Sequence, residues 1–300
     1  MLLFTSVILT LSSIAQPAAE VSNQITTLRD IAYTTPALNL FHKPLLMDVS
    51  FPNSGSGPLP VVIYIHGGGW DNGSKSEGEK FLTLMAHGGY FAVAIDFRNT
   101  REGGFPETSM DIASAINFIV RYKDELNINT DAIGLVGYSS GGHLALLTAC
   151  SLNNEAMQGI LKKHQINGSI KSVASINGAV VPKYLPKQFK QKAFEWSGVE
   201  KERDMEIIYP STYLDKDDPP IFLLSGKDDK VVPNRLARQF SNLLKRNDVE
   251  HVFQTIQKSG HKISEPDHYL KLLKFMDNHL GGNAYSILTA QTQGDTGSME

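Results

Sequence analysis

The sequence predicts an α/β domain whose eight-stranded, mostly parallel sheet carries helices on both faces and a small lid insertion. Short apolar runs alternate with longer helical patterns along the chain, an order typical of a parallel sheet with crossover helices. Several runs are continuous and rich in β-branched residues, as expected of strands buried on both faces. The 300 residues suffice for one large buried core.

Each predicted strand ends at a turn or at the start of a helical pattern. The predicted strands are 25–33, 45–51, 61–65, 91–95, 132–137, 172–176, 220–224 and 251–257. Helices are expected at about 76–87 and 107–126, and from Ser140 onward. Strands and helices therefore alternate through the middle of the chain.

The α/β domain is expected to span residues 20–281, with one interruption. Between residues 181 and 210 the sequence is rich in lysine and contains several prolines and scattered aromatic residues. This stretch is too short for a domain, and we expect it to be a lid that shapes the pocket. Residues 282–300 are polar and rich in Gly, Thr and Gln, which predicts a disordered tail.

Residues 1–19 are predicted to be a signal peptide. No charge occurs from Leu2 to Ala15, and small residues precede candidate cleavage sites at Ala15 and Ala19. The apolar run is too short to span a bilayer, so no membrane anchor is expected in the mature chain. A secreted or periplasmic location is therefore expected. Signal peptides usually begin with basic residues, and none precedes this run, so the alternative is an apolar N-terminal arm on a cytoplasmic protein.

Composition narrows the classes of partner. The net charge of −3 and the apolar content of 41% indicate no nucleic acid or anionic lipid partner. Cys150 is the single cysteine, and it lies in an apolar run, which favours a buried core thiol. The sequence does not indicate an oligomeric state.

Ser139 is the predicted nucleophile. It is the centre of the G-x-S-x-G sequence from Gly137 to Gly141, where a strand ends and a helix begins. Such a turn strains the backbone, and the flanking glycines remove side chains that would collide there. The helix that starts at Ser140 aims free amides at an oxyanion forming nearby. A structural Gly/Ser turn is the alternative, against which this strand-to-helix setting argues.

A glycine loop follows the strand at 61–65, in the order His66-Gly67-Gly68-Gly69-Trp70. Consecutive glycines let the backbone approach a substrate, and their amides can supply part of an oxyanion hole. A nucleotide-binding loop is excluded because Gly73-Ser74-Lys75 has the wrong residue order. A flexible loop is the other alternative, and His66 is expected to position the loop.

The nucleophile needs a base and an acid, in the chain order Ser, Asp, His. The loop after the strand 220–224 offers Asp228 and Asp229, and His261 follows the last strand. The remaining candidates lie within predicted helices or strands: His143, His251 and His268. His261 is therefore the predicted base.

Taken together, the chain resembles the α/β-hydrolase esterases and lipases that carry HGGG, the hormone-sensitive-lipase-like and acetylxylan-esterase-like carboxylesterases. The resemblance covers residues 45–280. Its motifs are Met47-Asp48-Val49, HGGGW with Gly73, Asp96-Phe97-Arg98, Phe105-Pro106, GYSSGGHLAL, the loop 226–233 and Gly260-His261. It implies the α/β-hydrolase fold.

The resemblance also implies roles for individual residues. The family's acid stands three residues after a glycine, here Gly226, which selects Asp229; Asp111 would be structural. The implied oxyanion donors are the amides of Gly67, Gly68 and Ser140. Many relatives have Ala where this chain has Ser140, a change that leaves the backbone amide in place. The N-terminal cap helices of lipase-like members are missing from the pattern, which favours short acyl groups over long-chain lipids.

We therefore predict a serine esterase acting on short-acyl esters, such as acetyl or feruloyl esters of carbohydrate, through an acyl-enzyme. Its predicted catalytic residues are Ser139, Asp229 and His261. The reaction needs no metal or organic cofactor, and the expected partner is a small-molecule or carbohydrate ester. The alternatives are an amide-cleaving hydrolase on the same triad, a peptidase or arylformamidase, and an inactive hydrolase-fold binding module.

Overall fold

A computed structural model describes residues 19–21, 24–34, 43–54, 57–161, 164–263, 266–287 and 289. Most of the predicted signal peptide, residues 1–18, lies outside them. The strands within these ranges are β1 (Ala19–Val21), β2 (Ile25–Ala32), β3 (Leu46–Pro52), β4 (Leu59–Ile65), β5 (Phe91–Ile95), β6 (Ile128–Tyr138), β7 (Ile170–Ile176), β8 (Ile221–Gly226) and β9 (His251–Ile256). All eight predicted strands are present, and β1 is added at one edge.

The nine strands form one sheet in the order β1-β2-β3-β5-β4-β6-β7-β8-β9. The first pairings, β1 with β2, β2 with β3 and β3 with β5, are antiparallel. All pairings from β5 through β4 and β6 to β9 are parallel. The loops that follow β4, β6, β8 and β9 therefore leave the sheet at the same edge, where open α/β sheets bind ligands.

Helices cover both faces of the sheet. They are α1 (Glu79–His87), α2 (Glu107–Arg121), α3 (Lys123–Leu126), α4 (Ser140–Cys150), α5 (Glu155–Leu161), α6 (Lys187–Ser197), α7 (Asn234–Arg246) and α8 (Leu270–Leu280). The predicted helix 107–126 is divided at Tyr122 into α2 and α3. None of the helices in the described part of the chain is long and apolar enough to cross a membrane.

The core is split by the sheet into two apolar layers, as the two-residue period of a strand requires. In β4, Val61 and Ile63 belong to the layer under α2, α4 and α7, whereas Val62 and Tyr64 belong to the layer under α1 and α8. Every residue of α4 is buried. The helix that follows Ser139 is thus fixed on all sides.

The segment after residue 281 differs from the predicted disordered tail. Gly281 ends α8 with a left-handed backbone (φ 84°), but Ala284 is fully buried. The carboxylate of Asp277 accepts hydrogen bonds from the amides of Ala284 (3.0 Å) and Tyr285 (2.8 Å). Composition did not indicate this contact, because it depends on one carboxylate of the preceding helix. Residues 288 and 290–300 lie outside the described ranges.

A buried ion pair joins the loop after β5 to α2. The guanidinium of Arg98 donates to both carboxylate oxygens of Asp111, with Nη2–Oδ1 at 2.7 Å and Nε–Oδ2 at 2.9 Å. The amide of Arg98 donates to the same carboxylate at 2.9 Å. The exposed fractions of the two side chains are 12% and 5%. The pair therefore holds the loop down on α2.

Replacing Asp111 should be costly, because it leaves the Arg98 guanidinium buried without a counter-charge. We expect Asp111→Ala to lower the free energy of unfolding by about 3 kcal/mol, the usual cost of breaking a buried pair. Urea unfolding followed by circular dichroism measures it. Asp217→Ala is the matched control, because its pair with Lys216 is exposed and contributes little. Equal stability of both variants would contradict this role.

Candidate active site

Ser139 occupies the turn between β6 and α4 with a strained backbone (φ 55°, ψ −117°). The glycines on either side leave no room for a side chain. A β-carbon on Gly137 would stand 2.1 Å from the carbonyl oxygen of Gly141, and one on Gly141 would stand 2.1 Å from that of Ile65. The close packing of these backbones holds Ser139 in a conformation that a non-glycine residue rarely adopts.

The structure brings Ser139, His261 and Asp229 into one hydrogen-bonded line. The Oγ of Ser139 lies 2.9 Å from Nε2 of His261, whose Nδ1 lies 2.7 Å from Oδ2 of Asp229. The Asp229 side chain is fully buried, and its other oxygen accepts from the amides of Val231 (2.8 Å) and Val232 (2.9 Å). The carboxylate thereby keeps the proton on Nδ1, which leaves Nε2 free to accept the serine proton.

Asp228, the other candidate acid, faces solvent. Its amide donates to the carbonyl oxygen of Ser259 at 2.9 Å. That bond connects the loop after β8 to the loop after β9. Asp228 thus helps hold the two loops together through its backbone, while the carboxylate of Asp229 turns inward to His261.

The backbone of His261 is held by two side chains that sequence reasoning missed. Its carbonyl oxygen accepts from Nδ2 of Asn177 (2.5 Å) and from the hydroxyl of Tyr138 (2.8 Å). Asn177 Oδ1 in turn accepts from the amide of Gly226 (2.8 Å). Asn177 follows β7 with a left-handed backbone (φ 48°) and precedes Gly178. An Asn-Gly pair at a strand end, next to the nucleophile strand, was the available signal.

The predicted oxyanion donors occupy different positions. Gly68 and Ser140 line the cavity beside the nucleophile, and so does Gly69. Gly67 lies behind this wall, where a β-carbon would stand 2.8 Å from the ring of Tyr138. The resemblance did not name Gly69, which also lines the cavity.

His66 fixes the base of the glycine loop (residues 66–73). Its Nδ1 donates to the carbonyl oxygen of Gly67 at 2.7 Å, and its ring stacks on Phe97 with centroids 4.2 Å apart. Burial lowers the pKa of His66, although the backbone bond to Gly67 opposes the change. Gly73 must lack a side chain, because a β-carbon would stand 2.4 Å from this ring. The arrangement is that of a loop-positioning residue.

His143 connects the same loop to the insertion (residues 181–210). Its Nδ1 accepts from Nε1 of Trp70 (3.2 Å), and its Nε2 donates to the carbonyl oxygen of Ile208 (2.7 Å). Trp70 also stacks on Trp196 of α6, with ring centroids 5.8 Å apart. Burial lowers the pKa of His143 to about 4. Both ring nitrogens are engaged, so this histidine is structural.

An active-site cavity of about 300 Å³ opens over Ser139. Its walls come from the glycine loop, the nucleophile turn, the insertion and the loops after β8 and β9. They are Gly68, Gly69, Trp70, Tyr138, Ser139, Ser140, Ala179, Leu185, Phe189, Lys192, Val231, Val232 and His261. The volume is at the small end of ligand pockets, and the lining is mostly apolar. Among the described residues, no group of three or more His, Cys, Asp or Glu is placed to hold a metal.

The family model BD-FAE matches residues 47–244 of this chain. The chain belongs to the BD-FAE family. The matched segment of this BD-FAE protein runs from β3 to α7, so it includes the nucleophile turn and Asp229 and stops before His261.

The curated relatives are esterases by name. A probable carboxylic ester hydrolase of Mycobacterium tuberculosis, LipM, is 26% identical over 201 residues, which are 64% of this chain and 46% of LipM. A probable isoprenylcysteine alpha-carbonyl methylesterase of Arabidopsis thaliana is 24% identical over 67% of this chain and 44% of its own. This BD-FAE chain spans about half the length of the curated relatives it matches.

Solved structures share the fold. Esterase B of Lactobacillus rhamnosis superposes with a TM-score of 0.74 at 18% identity, over 97% of this chain and 95% of its own. The bifunctional GH43-CE of Bacteroides eggerthii gives a TM-score of 0.74 at 21% identity, over 87% of this chain and 36% of its own. These likenesses show the α/β-hydrolase fold that the motifs predicted.

The buried His143 predicts a stability that depends on pH. Its pKa is about 4 in the folded protein against 6.5 as the ordinary value, so acid protonates the unfolded chain first. Stability is therefore full above pH 6.5 and is lost as pH falls towards 4, by about 3 kcal/mol in all. Urea unfolding at several pH values should show this loss, and His143→Gln should flatten it. An unchanged profile in the variant would contradict the assignment.

Ser140→Ala should stabilise the protein, because the hydroxyl of Ser140 is buried and has no hydrogen-bond partner in the described structure. We expect an increase of about 1 kcal/mol in the free energy of unfolding. Ser151→Ala, at the other end of α4, is the matched control: its buried hydroxyl donates to Leu147 at 2.6 Å, so its loss should destabilise. A destabilised Ser140→Ala would show that the hydroxyl has a partner.

Proposed function

We propose that this chain hydrolyses short-acyl carboxylic esters through an acyl-enzyme intermediate. The observation that carries the proposal is the hydrogen-bonded line Ser139–His261–Asp229 at the wall of the cavity. A serine hydroxyl is a weak nucleophile, and this arrangement supplies the base and the tautomer-fixing acid that it needs. The esterase names of the relatives support the same reaction.

In the proposed reaction, Ser139 attacks the ester carbonyl while His261 Nε2 takes the hydroxyl proton. His261 then gives this proton to the departing alcohol, which leaves the acyl group on Ser139. In the second step, His261 takes a proton from a water molecule that attacks the acyl-enzyme, and it returns this proton to Ser139 as the acid leaves. The backbone amides of the glycine loop and of Ser140 stabilise the oxyanion in both steps. Each such donor contributes about 3 kcal/mol to the transition state.

The cavity favours a short acyl group. Its volume is about 300 Å³, and side chains from the insertion and from the loop after β8 close it, namely Leu185, Phe189, Val231 and Val232. Acetyl esters of carbohydrate are the proposed natural substrates that fit this volume, and feruloyl esters, with a larger acyl group, are the second proposed class. Support comes from two structural neighbours, described as a carbohydrate esterase from gut microbiota and an acetyl ester-xyloside bifunctional hydrolase. Secretion or periplasmic export, proposed from residues 1–19, would bring the protein to such substrates.

Ser139→Ala should abolish hydrolysis of p-nitrophenyl acetate, with a loss of at least about a thousandfold in kcat, because no other group in the proposed mechanism attacks the carbonyl. Asp229→Asn should also lose most activity, since the histidine tautomer is no longer fixed. Release of p-nitrophenol, with circular dichroism to verify folding, measures both.

Asp228→Asn is the matched control, because this neighbouring carboxylate is exposed and should be dispensable. A fluorophosphonate probe should label the parent protein and Asp228→Asn, but not Ser139→Ala. Turnover retained by a folded Ser139→Ala would overturn the proposed function.

A further inference from the structure

Lys192 brings a positive charge into the active-site cavity. Of the residues that line it, Lys192 is the one lysine or arginine. It lies on α6 of the insertion, is half-buried, and extends over the glycine loop. A β-carbon on Gly69 would stand 3.5 Å from its Cδ and 3.8 Å from its Nζ. The ammonium is therefore next to the backbone where the ester carbonyl is proposed to bind.

Two neighbouring lysines of the insertion already have partners. Lys190 makes an ion pair with Glu202 at 2.9 Å, and the ammonium of Lys183 lies 5.2 Å from the centre of the Tyr184 ring. The ion pairs and hydrogen bonds found among the described residues include none for the side chain of Lys192. Its charge is thus available to a bound molecule.

No anion of the cavity wall can serve as its counter-ion. The carboxylate of Asp229 is fully buried and is already shared between His261 and the amides of Val231 and Val232. None of the residues that line the cavity is acidic, and most of them are apolar. A charge in such surroundings attracts an opposite charge more strongly than it would in water, because the local dielectric constant is lower.

We propose that Lys192 selects esters that carry a carboxylate a few bonds from the scissile carbonyl. The carboxylate would accept a hydrogen bond from Nζ while the ester carbonyl rests against the glycine loop. The inference rests on the proposed ester hydrolysis and deepens it, since it names a chemical class of substrate. The carboxylate belongs either to the acyl part, as in a hemi-ester of a dicarboxylic acid, or to the alcohol part, as in an ester of a hydroxy acid.

Two pairs of esters distinguish the two positions of the carboxylate. The acyl arm compares 4-nitrophenyl hemisuccinate with 4-nitrophenyl butyrate, which is neutral. The alcohol arm compares 3-acetoxybenzoate with its neutral methyl ester. The readout in each arm is the ratio of kcat/KM for the anionic ester to that for the neutral ester.

Lys192→Met should lower this ratio about tenfold in at least one arm, the effect of one charge-assisted hydrogen bond. The neutral ester of each pair corrects for any general change in turnover, and Lys192→Arg should keep most of the preference because it keeps the positive charge. Lys190→Met, on the same helix but outside the cavity, is the matched control and should leave the ratio unchanged. Added salt should reduce the parent's preference.

A binding measurement separates this inference from the proposed function. Titration calorimetry of 3-acetoxybenzoate and of 4-nitrophenyl hemisuccinate into Ser139→Ala needs no turnover, and Lys192→Met in that background should weaken one of them about tenfold. If the neutral esters are not hydrolysed but binding still depends on Lys192, the proposed function is contradicted while this inference stands. Unchanged ratios and unchanged binding in Lys192→Met, or an equal fall for anionic and neutral esters, would overturn the inference.

Discussion

The chain of hydrogen bonds from Asp229 through His261 to Ser139 depends on the order of the strands. Ser139 and His261 are 122 residues apart in sequence, yet both follow parallel strands of one continuous half-sheet, β6 to β9. Because the strands are parallel, the loops that follow them all leave the sheet at the same edge. Because the strands are neighbours in the sheet, these loops lie close to one another. The strand between them contributes too, because Asn177 at the end of β7 binds the backbone of His261. The site is thus a consequence of how the sheet is assembled.

Much of this was predictable because single residues carried strong constraints. Gly137 and Gly141 flank a backbone that other residues would obstruct, so the sharp turn at Ser139 could be located from this five-residue sequence. Strands buried along their whole length, such as β5 and β8, read as continuous apolar runs, which is why they could be found. The contacts of Asn177 and Tyr138 with His261 join residues more than 80 positions apart, and no local pattern encodes such a distance.

The glycine loop shows why preorganisation needs support from two directions. From the sheet side, His66 bonds to the loop backbone and stacks on Phe97. From α4, His143 accepts from Trp70, which follows the last of the three glycines, and donates to the carbonyl oxygen of Ile208 in the insertion. Burial lowers the pKa of both rings, which disfavours a positive charge beside the proposed oxyanion site. Donors held in this way need no rearrangement when negative charge develops.

In the proposed reaction, the insertion governs which ester binds, while the residues that react lie on the loops of the sheet. Its helix α6 is anchored by Trp196, whose Nε1 donates to the hydroxyl of Thr108 at 3.1 Å and whose ring packs on Trp70. Phe189, Lys192 and Trp196 are spaced three and four residues apart, so they lie along one side of the helix. One anchor near the helix end therefore sets how far the other two reach over Ser139. Changes in α6 can alter which ester fits, while the sheet keeps the serine, histidine and aspartate in line.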